Sequence, residues 1–214
     1  MTEPIKVDIW SDVQCPWCYI GKRKFEKGVE LYGRPVEIEY HSFELSPDTP
    51  VDYEGTTVQY LSERKGIPVD QVNQMLERVT GIAESVGLNY NFDTVHQTNT
   101  VKAHELLHYA KAHGKQQEMK ERLLKAYFVE GEHVGKSENL AKLAAEVGLD
   151  EADTLRSLNE EEFFPAVKAD MAQAQAYGIS GVPFYVIDGK YGISGAQDSA
   201  TFAAALTEAA QNRD

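Results

Sequence analysis

The order of segments along the chain predicts an α/β fold interrupted by an α-helical insertion after the second strand. Two observations carry this. Stretches of strand character lie at both ends: IKVDIW (5–10) and PVEIEYHSFEL (35–45) near the start, VPFYVID (182–188) and KYGIS (190–194) near the finish. Between them, about a hundred residues repeat apolar positions near every 3.6 residues and stop at glycines. The order β-α-β, helices, β-β-α reads as one α/β domain split by an insertion.

Each element has a local cause. IKVDIW alternates apolar and polar residues, as a strand edge does. Cys15 follows a short loop, and Pro16 sits where a first helix would open, a position proline favours. That helix is expected to close at Gly33. A second strand runs through Val36, Ile38 and Tyr40 and ends at SPDTP (46–50). Five helical stretches follow: TVQYLSERKG, PVDQVNQMLERVTGIAESVG, NTVKAHELLHYAKAHG, KQQEMKERLLKAYFVEG and SENLAKLAAEVG. Ser137 is a candidate cap for the last of them, and Asp150 for EADTLRSLN. EEFFPAVKADMAQAQAYG is a further helix that bends or begins at Pro165. Asp188-Gly189 signals a tight hairpin between the last two strands, and SATFAAALTEAAQNR closes the chain as a helix. The expected division is 1–50, 51–165 and 166–214, with 52–165 wholly helical and 5–45 sharing one sheet with 183–194.

The 214 residues carry a net charge of -13, which disfavours nucleic acid and anionic membrane as partners because both would repel the chain. MTEPIKVDIW shows no signal-peptide pattern and no apolar run is long enough to span a bilayer, so the expected compartment is the cytoplasm. Structural disulfides are rare there, and a close cysteine pair points instead to redox chemistry or metal.

Cys15 and Cys18 are the only cysteines, and they form a C-x-x-C pair between a strand and a helix. A helix N-terminus presents unpaired N–H groups and a positive dipole end, which favour a thiolate at Cys15. Thiols so placed have pKa values of about 3.5–7.5, against about 8.5 for a free one. Cys15 is then the candidate nucleophile, and Cys18, one turn on, can attack a mixed disulfide and release the partner. Pro16 and Trp17 set the geometry between them. Two other readings stand beside this one. Free cysteines are among the most buried residues, and the pair could supply half of a zinc site, although no second C-x-x-C exists. The strand–helix context favours the redox reading. Near the other end, Gly178 and Gly181 frame a turn before Val182 and Pro183. Residue chemistry marks Pro183 as a strand-opening proline and does not decide the isomer of the bond before it.

Taken together, DVQCPWCYIGKRKFE, HSFELSPD, NTVKAHELLHYA, AYFVEG, GVPFYVID and ISGAQ resemble the DsbA-like thioredoxin family, and more closely its FrnE-like branch. The resemblance covers nearly the whole chain. It implies a thioredoxin-like fold with the helical domain inserted after the second strand. It also implies that Cys15 attacks, Cys18 resolves, and the Val182–Pro183 bond is cis, with Val182 offering its backbone to an extended substrate. A related branch, the kappa-class glutathione transferases and 2-hydroxychromene-2-carboxylate isomerases, shares the architecture but resembles this chain with serine at the position of Cys15. The resemblance thus implies a thiol–disulfide oxidoreductase. In a reducing cytoplasm it would work in the reductase or isomerase direction, on protein or small-thiol disulfides. No metal or nucleotide cofactor is expected, with glutathione as a conceivable co-substrate. The rivals are a glutathione-dependent isomerase or transferase acting on a small aromatic molecule, and a partner-binding module with the cysteines as a switch.

HELLH (104–108) matches H-E-x-x-H, which on a helix sets His104 and His108 on one face for zinc, with Glu105 as base. A third ligand is needed, and Glu130, Glu132 and His133 are available. Leu107 shares that face, which favours packing over metal. His41 and Glu44 follow the second strand and could relay a proton near the thiols, although ordinary strand-end polar residues explain them as well. Lys22, Arg23 and Lys24 read as a solvated face, and Trp10 as core or groove lining.

Overall fold

The computed structural model describes residues 3–213; Met1, Thr2 and Asp214, at the ends of the expected first and last segments, lie outside the described residues. The chain divides into two compact units, one formed by the chain up to Leu45 together with the chain from Lys168, the other by Ser46–Val167.

The first unit is built on a four-stranded sheet of order β2-β1-β3-β4, with β1 at Ile5–Ser11, β2 at Val36–Ser42, β3 at Phe184–Ile187 and β4 at Tyr191–Ser194. β1 runs parallel to β2, pairing Ile5 with Val36 through Ser11 with Ser42. β3 is antiparallel to both its neighbours, pairing Trp10 with Phe184 on one side and Ile187 with Tyr191 on the other. Alternation along β1 divides its side chains between two faces. Ile5, Val7 and Ile9 enter a core with Phe25 of α1 (Pro16–Tyr32) and Phe202 and Leu206 of α9 (Ser199–Gln211). Trp10 enters a second cluster with Ala174 of α8 (Phe164–Ala176) and with Ile179. Fully burying each such side chain is worth roughly 1.5–3 kcal/mol, so the odd positions of β1 anchor the sheet.

α1 opens with Cys15 at its N-cap and Pro16 in its first turn, and stops at Gly33, whose φ of 73° is the left-handed cap conformation. The β3–β4 hairpin turns through Asp188 (φ 54°) and Gly189 (φ 67°), with the Lys190 N–H donating to the Ile187 carbonyl at 3.1 Å.

The second unit contains α2 (Thr57–Lys65), α3 (Val69–Ser85), α4 (Val101–Ala112), α5 (Gln116–Lys125), α6 (Ser137–Glu146) and α7 (Glu151–Asn159), and no strand among its described residues. Three details differ from the sequence expectation. Residues 89–100 run as irregular chain and turn rather than helix. The stretch expected as one helix to Gly131 changes at Ala126 into a single π-helical segment, Ala126–Glu130. Ser137 is the first helical residue of α6, and Lys136 holds the cap position without a side-chain bond. Asp150 does cap α7, its carboxylate accepting from the Asp153 N–H at 2.7 Å. Thr56 and Gln59 form a reciprocal capping box on α2, for which the T-x-x-Q pattern at 56–59 is the sequence signal. α8 begins at Phe164, just before Pro165.

Candidate active site

β1 ends at Ser11, and four residues, Asp12 to Cys15, lead the chain into α1. The Cys15 N–H donates to the Asp12 carbonyl at 3.2 Å, and the Cys18 N–H to the Cys15 carbonyl at 3.0 Å. These bonds wind the loop into the first turn and bring both sulfurs to the same end of α1. Both residues are thiols, and both are buried, Cys15 at 5% exposure and Cys18 at 3%. Trp17 between them is 39% exposed and forms the accessible part of the motif.

The segment before β3 closes the other side. The Val182–Pro183 bond is cis, Pro183 is buried, and the Cys15 thiol donates to the Val182 carbonyl at 3.6 Å. The Pro183 carbonyl in turn accepts from the Gly195 N–H at 2.8 Å, tying this loop to the end of β4. Gly21 of α1 allows the approach: a Cβ there would lie 2.7 Å from Tyr185 Oη and 3.1 Å from Pro183 Cγ. The structure thus brings together Cys15, Cys18, Pro16, Trp17, Val182 and Pro183, residues of both terminal segments of the chain.

The electrostatics correct one expectation. The Cys15 proton is held well above the ordinary thiol range, by the hydrogen-bonded Cys18 thiol first and by burial second, with the Asp12 carboxylate adding to both. The Cys18 backbone N–H works in the opposite direction. A helix terminus contributes about 0.3–1 kcal/mol at an exposed site, whereas removing a charge from water costs several kcal/mol. At 5% exposure the second effect wins, and Cys15 holds its proton more tightly than an ordinary thiol.

The remaining candidates sort by position. His41 does not reach the thiols. Its Nδ1 lies 2.8 Å from Asp170 Oδ1 and its Nε2 2.8 Å from Asp8 Oδ1, so neither ring nitrogen is left to relay a proton. Burial alone would lower its pKa, but the bonds to Asp170 and Asp8 more than reverse this and raise it to about 9. Trp10 stacks on His41 with centroids 4.5 Å apart, and its indole N–H donates to the Asp170 carbonyl at 3.1 Å. The Glu44 N–H donates to Met171 Sδ at 3.2 Å. The run at 22–24 is not a solvated face: Lys22 is buried and paired with Glu26, Arg23 reaches Glu26 at 3.2 Å, and Lys24 reaches Asp198 at 3.3 Å.

Among the described residues, Asp8, Glu39 and His41 are the one group with metal-ligand spacing. Its charges are already balanced, since Lys6 Nζ lies 3.1 Å from both Asp8 and Glu39 and His41 carries a proton on each nitrogen near neutrality. HELLH belongs to no such group. His104 has no exposure, Glu105 pairs with Lys102 at 3.0 Å, and burial raises the Glu105 carboxyl. Glu130 is held by Arg122 at 2.7 Å, and His133 faces Asp52 at 3.5 Å. Among the described residues, no helix is long and apolar enough to cross a membrane.

Known proteins resemble this chain over most of its length. YwbO of Bacillus subtilis, an uncharacterized protein, is 30% identical over 209 residues, covering 95% of this chain and 96% of its own. A crystal structure of the probable DsbA oxidoreductase SCO1869 from Streptomyces coelicolor superposes with a TM-score of 0.90 at 34% identity, covering 98% of this chain and 92% of its own. A 2-hydroxychromene-2-carboxylate isomerase shares the fold at 16% identity, with a TM-score of 0.74 over 95% of each chain. The family model described as DSBA-like thioredoxin domain matches residues 6–207, which is nearly the full length. The chain belongs to the DSBA-like thioredoxin domain family.

Proposed function

We propose that this oxidoreductase exchanges disulfides with protein or small-thiol substrates through Cys15 and Cys18, acting chiefly as a reductant in the cytoplasm. The observation that carries the reading is the meeting of the two cysteines at the opening of α1 with the Val182 carbonyl, 3.6 Å from Cys15 Sγ. A substrate disulfide approaching beside Trp17 meets Cys15 first. The Cys15 sulfur bonds to one substrate sulfur, and the other leaves carrying the Cys15 proton. Cys18 then attacks the mixed disulfide at Cys15, closes the intramolecular bond and yields its proton to the second substrate sulfur. One substrate disulfide becomes two thiols, and the protein dithiol becomes a disulfide. The raised Cys15 proton favours this direction, because a pair that does not gain from a stable thiolate holds its reduced form less tightly. No metal or nucleotide takes part; glutathione is a candidate co-substrate for returning the disulfide to the dithiol.

The test is reduction of insulin disulfides by wild type, Cys15→Ser and Cys18→Ser. Wild type should exceed buffer thiol and Cys15→Ser should match it, while Cys18→Ser should accumulate a mixed disulfide visible by mass. A wild type no faster than buffer that instead binds glutathione tightly would replace this reading with the glutathione-dependent isomerase.

A further inference from the structure

The Val182 carbonyl beside Cys15 belongs to the turn between α8 and β3. After α8 the Ile179 N–H donates to the Ala174 carbonyl at 2.8 Å, and Gly178 turns the chain at φ 71°. Val182 then packs against the cluster of Trp10, Ala174 and Ile179. Apolar contact is non-directional and by itself fixes no orientation. Trp10, however, is oriented by two directional contacts. Its indole N–H donates to the Asp170 carbonyl at 3.1 Å, and its face lies on the His41 ring, with centroids 4.5 Å apart and planes inclined by 19°. His41 is fixed in turn at both nitrogens, by Asp170 Oδ1 and Asp8 Oδ1, each at 2.8 Å. Asp170 Oδ2 accepts the Ser42 N–H at 2.8 Å, so one residue of α8 is bonded to both β1 and β2.

Trp10 and Asp170 are buried, and Asp8, His41 and Val182 are half-buried. Stability alone does not call for such a charged network, since apolar residues of similar volume often serve as well. What the network supplies is a single arrangement of Trp10, and the group packed on Trp10 beside the thiols is Val182. A carbonyl oxygen has two lone pairs. The Cys15 thiol takes one, and the other is available to an N–H of an extended chain. We propose that Trp10 and His41 are positioning residues that fix the Val182 carbonyl beside Cys15 and so favour peptide disulfides over small ones as substrates. The inference rests on the thiol-exchange reading above. A small disulfide has to meet only the sulfur, whereas a peptide disulfide gains from meeting the sulfur and the carbonyl together.

Single-turnover reduction by the pre-reduced protein tests this, with insulin as the peptide disulfide and hydroxyethyl disulfide as the small one. Trp10→Phe removes the indole N–H and keeps a ring on His41. The insulin concentration at half-saturation should then rise by up to about tenfold, the scale of one hydrogen bond. His41→Asn removes the stacked ring and should raise it by about tenfold as well. The limiting rate, the reduction of hydroxyethyl disulfide and the alkylation of Cys15 should keep their wild-type values, as for a loss of binding alone. Leu206→Ala opens a cavity in the core that holds Ile5, Val7 and Ile9; it should lower stability and leave the insulin value in place. Wild-type half-saturation in folded Trp10→Phe, or in folded His41→Asn, would overturn the proposal. So would an equal loss with hydroxyethyl disulfide, or an equal rise in Leu206→Ala. A wild type that reduces neither disulfide faster than buffer thiol would instead fail the exchange reading itself, and the proposal with it.

Discussion

CPWC at 15–18 and HELLH at 104–108 each place two reactive side chains one helical turn apart, and the structure treats them oppositely. CPWC opens α1 where a strand hands over to a helix. Its sulfurs sit under an exposed tryptophan, against a loop from the far end of the chain. HELLH lies inside α4, with His104 and Glu105 both sealed in the helical unit and Leu106 and Leu107 buried beside them. The residue types suit chemistry in both places. Only the first lies at the boundary of its helix beside an exposed side chain, with a backbone carbonyl 3.6 Å from a sulfur. The comparison teaches that a motif's position within its helix decides more than its letters do.

The largest expected effect separates the two directly. Cys15→Ser should bring insulin reduction down to the rate of buffer thiol while leaving the circular dichroism spectrum unchanged. His104→Ala should do the reverse, costing about 2–4 kcal/mol in urea melts through a cavity in a packed core, with exchange per folded molecule unchanged. Stoichiometric zinc in the purified protein, lost in His104→Ala, would break the contrast.

A third histidine sharpens it. Unlike His104, His41 is held as a cation between Asp8 and Asp170, with its pKa raised to about 9 from an ordinary value near 6.5. A raised folded-state value means that its stabilisation is complete below pH ~6.5 and is lost as the pH rises through about 9. That stabilisation is on the order of 3 kcal/mol. Urea melts between pH 6 and 10 should show this loss in wild type and not in His41→Asn; parallel curves would refute the clamp.

The smallest effect probes the packing behind the thiols. Gly21→Ala gains about 1 kcal/mol of helix propensity, but its methyl would lie 2.7 Å from Tyr185 Oη, and such overpacking costs about 1–3 kcal/mol. A net loss of about 1 kcal/mol is expected, with slower exchange because Pro183 must shift. A more stable, equally active variant would show that this approach is looser than the contacts imply.

Much of this was legible beforehand. β1 could be read because Ile5, Val7 and Ile9 alternate with Lys6 and Asp8, α1 because Pro16 and Gly33 mark its ends, and the hairpin because Asp188-Gly189 admits positive φ. The π-helical turn at Ala126–Glu130 was not legible, since its residues keep an ordinary helical pattern and only packing shifts their hydrogen bonds. Lys22 read as solvated because its sequence neighbours are charged; its burial and its pairing with Glu26 come from the helix face it occupies.

The amino-acid order alone determined the strands, the helix starts and stops, and the C-x-x-C pair, because these depend on contacts within a few residues. Tertiary structure decided what the thiols experience. Val182 lies 167 positions from Cys15, and the Leu45 N–H that donates to Asp12 comes from 33 positions on. Helix-end electrostatics is local and argued for a thiolate; burial is a property of the assembled fold, and it holds the proton on.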